Sequence, residues 1–190
     1  MAEKPALFLD GKRLYLRTLE VGDLDRARRW MNDPEVRRYL LCRVPIDEVS
    51  ERTWFDGRNR GPFPTDIVLA IVLKRGHRHI GSTGIHQINW IDRHATTGAV
   101  IGEADCWNRG YGSEAKALVL RYCFETLGLH RVCSAVLATN GRSLAYLKKS
   151  GYREEGRFRE HTFRDGGWID EVRLSILADE WQALEKKKKR

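Results

Sequence analysis

Arg109-Gly110-Tyr111-Gly112-Ser113-Glu114-Ala115 stands between a strand-like run and a long helical pattern, and its reading decides the fold. Two glycines one residue apart strip side-chain bulk from consecutive backbone amides just where a helix begins. A helix N-terminus leaves its first amides without intrahelical partners and carries the positive end of the helix dipole. Amides bared in this way form a cradle for an anion, and phosphate is the anion such cradles commonly hold. The ligand expected on Arg109 to Ser113 is therefore a phosphate-bearing cofactor.

Outward from the loop, the following helix should run from about Tyr111 to Leu127, with Ala115, Leu118, Val119, Tyr122 and Cys123 at helical spacing and Gly128 as its stop. A strand is expected over Thr97 to Glu103 before the loop. After the helix, Val132 to Ala138 reads as a strand, Asn140 opens a second amphipathic helix that ends at Gly151, and two late strands flank an Asp165-Gly166-Gly167 turn. Toward the N-terminus, Ile67 to Leu73 and Ile80 to Ile88 form a hairpin around Arg75-Gly76-His77. Earlier still, Arg13 to Thr18 is a first strand, and Asp23 is placed to cap a helix with Leu24, Ala27, Trp30 and Met31 on one face. Asn32-Asp33-Pro34 breaks that helix and starts a short one, and Asp47 caps another through Trp54 and Phe55, closed by Gly61-Pro62-Phe63-Pro64. The order is mixed α and β, without an internal repeat or linker. One domain is expected over residues 10–182, followed by a basic tail over 183–190.

At 190 residues, with 42% hydrophobic and 32% charged positions, the chain has the profile of a folded soluble protein. No run approaches the roughly 20 apolar residues of a membrane span, and Met1 to Asp10 lacks the layout of a signal peptide, so a cytoplasmic location is expected. Cys42, Cys106, Cys123 and Cys133 show no CxxC spacing and no His partner at metal-ligand distance; reduced, mostly buried thiols and no metal fit best. Lys186 to Arg190 supply five of the eight net positive charges, leaving a body of only +3. A solvated tail accounts for that run as well as a nucleic-acid arm does, and nucleic acid is not the expected partner.

Gly110-x-Gly112-x-x-Ala115 also fits a relaxed dinucleotide fingerprint, but its context argues otherwise. A dinucleotide turn sets its glycines at the strand's end and an acid about 20 positions later, whereas Glu103 to Arg109 intervenes here and the next strand runs into Thr139 and Asn140. A P-loop needs Lys-Ser/Thr after its last glycine, and Ser113-Glu114 is not that. What remains is a strand, a short loop, Arg-Gly-x-Gly at a helix start, a strand, and an Asn-led helix ending in Gly151-Tyr152. This pattern resembles the GCN5-related N-acetyltransferase (GNAT) superfamily. Leu14-Tyr15-Leu16-Arg17, Asn32-Asp33-Pro34-Glu35-Val36, Gly128-Leu129-His130-Arg131-Val132, Glu154-Glu155-Gly156, Asp170-Glu171 and Trp181 extend the resemblance over nearly the whole chain. They look like the ribosomal-protein N-acetyltransferase (RimJ/RimL-type) branch.

The resemblance implies an α/β (α+β) fold: a mixed, strongly bent β-sheet flanked by helices, in which two central strands, here Thr97 to Glu103 and Val132 to Ala138, splay apart. It implies acetyl-CoA as co-substrate, its diphosphate on the amides of Arg109, Gly110, Tyr111, Gly112 and Ser113, and its pantetheine arm along the main chain of Val100, Ile101 and Gly102. Asn140 matches the asparagine beside the thioester, and is equally an ordinary helix cap. Trp107 stands where the superfamily usually has Gln or Arg, a departure that backbone contacts to phosphate tolerate. The implied reaction is direct transfer: a neutral amine attacks the thioester and a thiolate leaves. A nucleophilic Cys106 is not favoured, since no His/Asp partner set accompanies it.

Many superfamily members carry a tyrosine seven residues after the asparagine to protonate the thiolate, but Leu147 occupies that position. Ser143 is the preferred hydrogen-bond donor; Tyr146 is the alternative, turned by roughly 100° from the missing tyrosine. Glu103 is the best candidate to draw the amine's proton, with a solvent-facing carboxylate as the competing reading, and Asp105 and His86 are weaker. The acceptor implied is an amine, foremost a protein N-terminal α-amine, with small amines such as polyamines or aminoglycoside-like compounds next. A homodimer is compatible with this reading. The loss of the tyrosine also admits a non-catalytic acyl-CoA sensor.

Overall fold

Continuous or alternating apolar runs become strands, and capped amphipathic runs become helices, in a computed structural model that describes residues 7–40, 43–58 and 61–188. Cys42, and Lys189 and Arg190 of the basic run, lie outside the described residues. Eight strands and six α-helices follow in the order β1 (Leu7–Asp10), β2 (Leu14–Thr18), α1 (Leu24–Asn32), α2 (Pro34–Arg37), α3 (Glu48–Asp56), β3 (Ile67–Leu73), β4 (His79–Asn89), β5 (His94–Ile101), α4 (Tyr111–Arg121), β6 (Arg131–Leu137), α5 (Gly141–Lys149), β7 (Arg153–Arg164), β8 (Gly167–Leu177) and α6 (Ala178–Lys188) among the described residues. The class is the mixed α/β expected. Among the described residues no helix is long and apolar enough to cross a membrane. The chain forms two compact units, one running to Ile85 and including Gly98–Val119, the other comprising His86–Thr97 and the chain from Leu120 onward.

In the first unit the strand order is β1-β2-β3-β4-β5. β2 pairs antiparallel with β3 from Leu14↔Leu73 to Thr18↔Leu69, and β3 pairs with β4 from Ile67↔Ile85 to Val72↔His79. Tyr15, Leu19, Leu24, Phe55, Ala70 and Val72 pack as one buried cluster, so α1 and α3 reach this core through Leu24 and Phe55. The stripe Leu24, Ala27 and Trp30 is buried as its spacing requires. Asp33 caps α2 by accepting from the Glu35 and Val36 amides, and Asp47 caps α3 by accepting from Ser50 at 2.7 Å.

Asp23 departs from expectation: its side chain does not cap α1. A short 3₁₀ turn at Val21–Asp23 precedes the helix, so Asp23 is already helical and its carboxylate swings back. There it accepts the Arg17 guanidinium at 2.6 and 2.7 Å and the Glu20 amide at 2.9 Å, and His79 Nδ1 lies 3.0 Å away. β5 also differs. It begins three residues earlier than read and ends at Ile101, because the Gly102 and Glu103 amides both turn to the Ile80 carbonyl, at 2.9 and 3.3 Å. Glu103 is thus in the connection after the strand.

In the second unit the order is β5-β6-β8-β7. β5 and β6 are parallel, joined at His94↔Arg131, Ala95↔Val132 and Thr96↔Cys133. Just beyond, side chains take over the hydrogen bonding: the Ser134 hydroxyl donates to the Thr97 carbonyl at 3.1 Å, and the Thr97 hydroxyl lies 2.8 Å from that of Tyr152. β6 pairs antiparallel with β8 from Arg131↔Leu177 to Leu137↔Glu171, and β8 forms a long hairpin with β7. Val132, Val136, Val172, Leu174 and Ile176 are buried, together with Leu147 of α5 and Trp181 of α6. α6 carries Lys186, Lys187 and Lys188 in its last turn, where the helix dipole favours cations.

Candidate active site

The glycine loop lies in the first unit and leads into α4. Backbone φ alternates in sign across it, with Asn108 at +59° and Gly110 at +77° on either side of Arg109. Such alternation turns successive amides toward one side, the arrangement called a nest. Asparagine and glycine are the residues that tolerate left-handed φ most easily. The first α-helical bond runs from the Glu114 amide to the Gly110 carbonyl at 3.1 Å. The amides of Gly110, Tyr111, Gly112 and Ser113 therefore have no carbonyl one turn earlier within α4. A Cβ added at Gly112 would find only Ile101 Cγ1, at 4.0 Å, so the chain leaves this position open. Nest, helix N-terminus and open glycine coincide in Arg109 to Ser113, the residues named from the sequence. Ala115, Leu118 and Val119 are buried as their spacing requires, and Lys116 is buried with them.

The floor beside the loop is the end of β5. Val100 and Ile101 are half-buried and Gly102 is buried. The Ile101 carbonyl accepts from Trp107 Nε1 at 2.7 Å, which gives Trp107 a structural task in the loop. A Cβ on Gly102 would overlap the Trp30 indole, and one on Gly81 would overlap the Val100 carbonyl, so this floor is built on close approach. Trp30 Nε1 donates to Glu103 Oε1 at 3.0 Å, and Arg78 takes Glu103 Oε2 while chelating Asp105 at 2.7 and 2.8 Å. Burial alone would raise the Glu103 carboxyl, but the hydrogen bonds from Arg78 and Trp30 outweigh it and hold the group below the usual carboxylate range. Glu103 is therefore ionised and a weak base. Asp105 is likewise held low by Arg78. Burial, reinforced by the Asp105 charge, pushes the Cys106 thiol up, which disfavours the thiolate a covalent mechanism would need.

The second unit holds Asn140, Ser143 and Tyr146. Asn140 Oδ1 accepts from the Ser143 amide at 3.1 Å, capping α5, and the Nδ2 group is the donor a thioester contact would use. Ser143 is half-buried in the first turn. Tyr146 lies one turn further on, and burial pushes its phenol well above the ordinary tyrosine value, which weakens it as an acid. Leu147, at the position of the missing tyrosine, is buried in the core.

Three residues that support the loop and its floor carry no local signal in the sequence. Trp30 was legible only as a core residue of α1, although it packs on Gly102 and holds Glu103. Arg78 lies in the turn before β4, with nothing local to signal its carboxylate partners. Arg13 is bound to Glu114, 101 positions away, and reaches the loop itself through the Arg109 carbonyl at 2.9 Å.

Comparison with known proteins identifies the family. Residues 13–153 match the family described as the acetyltransferase (GNAT) domain. The chain is 28% identical to the uncharacterized N-acetyltransferase p20 of Bacillus licheniformis over 177 residues, covering 90% of this chain and 96% of that one. It is 28% identical to a spermidine N(1)-acetyltransferase of Vibrio cholerae over 175 residues, covering 89% and 95%. Among solved structures, the spermidine N-acetyltransferase from Vibrio cholerae in complex with CoA and spermine superimposes with a TM-score of 0.78 at 23% identity, over 90% of this chain and 98% of that one.

Proposed function

The chain belongs to the acetyltransferase (GNAT) domain family, an acetyl-CoA-dependent N-acyltransferase by that membership, and we propose that its acceptor is the α-amine of a protein N-terminus. In this reading the diphosphate of acetyl-CoA rests on the amides of Gly110 to Ser113 and its pantetheine arm follows Val100 to Gly102. The family resemblance assigns the thioester contact to Asn140 Nδ2 and the hydrogen bond to the departing thiolate to Ser143. Tyr146, its phenol raised by burial, is the poorer donor.

The state of Glu103 carries the choice of acceptor. A carboxylate already bound by Arg78 and Trp30 and held low in pKa removes protons poorly. An α-amine near pKa 8 needs only about 1.4 kcal/mol to become neutral at pH 7, whereas a lysine or polyamine nitrogen near 10.4 needs about 4.6 kcal/mol. A site with a weak base suits the first. The motifs resembling the ribosomal-protein branch support the same acceptor, and reduced thiols suit a cytoplasmic setting. A second reading, a polyamine acceptor, draws support from the 28% identity to a spermidine acetyltransferase. A mass-shift screen with acetyl-CoA against peptides of differing N-termini, lysine side chains and polyamines tests both: an α-acetylated peptide is the expected product, and acetylation of spermidine alone would replace the first reading with the second.

A further inference from the structure

Arg13 opens the Arg13-Leu14-Tyr15-Leu16-Arg17 run, whose leucines and tyrosine bury in the core while Arg13 itself is half-exposed and aimed at the glycine loop. Its donors converge on two places. The Arg13 amide donates to Glu114 Oε1 at 2.7 Å and its Nε to Glu114 Oε2 at 2.8 Å, with the Leu14 amide adding a longer bond to Oε1 at 3.4 Å. Its Nη1 donates to the Arg109 carbonyl at 2.9 Å, and the guanidinium lies 4.7 Å over the Tyr111 ring. Gly11 makes room for this joint: a Cβ there would come within 2.9 Å of Glu114 Oε1 and 2.7 Å of the Leu14 carbonyl. One arginine thus ties the β1–β2 turn, the loop and the first turn of α4 together.

We propose that Arg13 is a positioning residue for the diphosphate loop, neutralising Glu114 and fixing the Arg109–Gly110 peptide so that the α4 N-terminus accepts a second anion. The proposal rests on the diphosphate reading of that loop. Glu114 is in the first turn of α4, among the same amides, and an unpaired carboxylate there would repel a diphosphate. Burial alone would raise the Glu114 carboxyl, yet the bonds from Arg13 hold it below the usual range, so the charge is present and is met by the guanidinium. The second effect follows from the trans peptide: with the Arg109 carbonyl held by Arg13, the Gly110 N–H must point the opposite way, away from the cation. The fork prevents the flip that would present a carbonyl oxygen to phosphate. Lysine has the charge but not the planar fork.

The test compares Arg13→Gln, Arg13→Lys, Glu114→Gln and the double variant Arg13→Gln/Glu114→Gln in the full chain, with Gly112→Val as a reference for the loop. Calorimetry reads CoA affinity, steady-state kinetics read acetyl-CoA against acetyl-pantetheine, which lacks the diphosphate, and thermal unfolding reads the fold. Arg13→Gln should weaken CoA binding by about 10-fold or more and raise KM for acetyl-CoA much more than for acetyl-pantetheine. Arg13→Lys should recover part of the loss, and removing the Glu114 charge from Arg13→Gln should recover more. Equal losses with both thioesters, in step with lost folded protein, would reduce Arg13 to a structural residue and overturn the proposal. Weakened binding by Gly112→Val with undiminished binding by Arg13→Gln would overturn the clamp alone; unchanged binding by both would overturn the loop reading and the clamp with it.

Discussion

Replacing Gly112 by valine sets ligand binding against folding at one position. The backbone there is not left-handed, and the added Cβ meets nothing nearer than Ile101 Cγ1 at 4.0 Å, so the apo protein has room for it. Valine is a slightly better helix residue than glycine, and the change in folding should stay within about 0.5 kcal/mol, or about 2 °C in Tm for a chain of this size. A diphosphate on the amides of residues 110 to 113 would meet two branched methyl groups. Losing one amide-to-phosphate hydrogen bond costs about 1.5–3 kcal/mol, which raises Kd by about 10- to 150-fold. Gly112→Ala should fall between. Calorimetric titration with CoA, paired with thermal unfolding of the apo protein, separates the two effects. An unchanged Kd for Gly112→Val, or a loss of binding matched by loss of fold, would refute the placement of the diphosphate.

Further substitutions address the acid, the buried charges and the packing. Ser143→Ala should slow turnover by about 10-fold or more with little change in CoA affinity, the value of one donor to a charged leaving group; an unaltered rate and pH profile would remove Ser143 from the mechanism. Asp23 titrates lower folded than unfolded: burial opposes its ionisation, but hydrogen bonds from Arg17, His79 and the Glu20 amide prevail. The native state then binds fewer protons, so this contribution is complete above about pH 4 and fades as the pH drops below it. Asp23→Asn should lower stability near neutrality and flatten that acid limb, and an acid limb identical to the parent's in denaturant titrations would contradict the assignment. Gly151 has φ of +97°, and a Cβ there would overlap Leu184 Cδ1, so Gly151→Ala should cost about 1–3 kcal/mol in denaturant unfolding. A midpoint equal to the parent's would show that this joint yields.

What the sequence made legible was local. β3 carries an uninterrupted apolar run, and α2 and α3 announce themselves through Asp33 and Asp47, whose capping bonds span three residues or fewer. The loop, too, was readable, because glycine spacing and a helix start are neighbours in the chain. β1 carries no signal in the sequence, because three of its four residues are exposed and leave no burial alternation to read. The start of β5 is not readable, because His94-Ala95-Thr96 has no apolar period and owes its strand character to parallel pairing with β6. Asp23 binds Arg17 and does not cap α1, a choice local sequence does not settle because an aspartate before a helix suits a cap and an ion pair equally well. The supports of the site were the least readable part: Trp30 meets Glu103 across 73 positions and Arg13 meets Glu114 across 101. Nothing in a single chain distinguishes such an arginine from a solvated one.

The far end of α4 has a consequence of another kind. Its closing bonds are each one residue too long: the Leu127 amide reaches back five positions to the Tyr122 carbonyl, at 3.0 Å, and the Leu129 amide reaches six to Cys123, at 2.9 Å. An ordinary helix spans four, and an ordinary glycine terminus five. One surplus residue has been absorbed between Tyr122 and Thr126, while Cys123 remains buried and Phe124 stacks on Trp181 at 5.3 Å. Excising the exposed Glu125 would let the terminus relax to regular pitch. This is a place in the chain where shortening, not substitution, should be the gentler change.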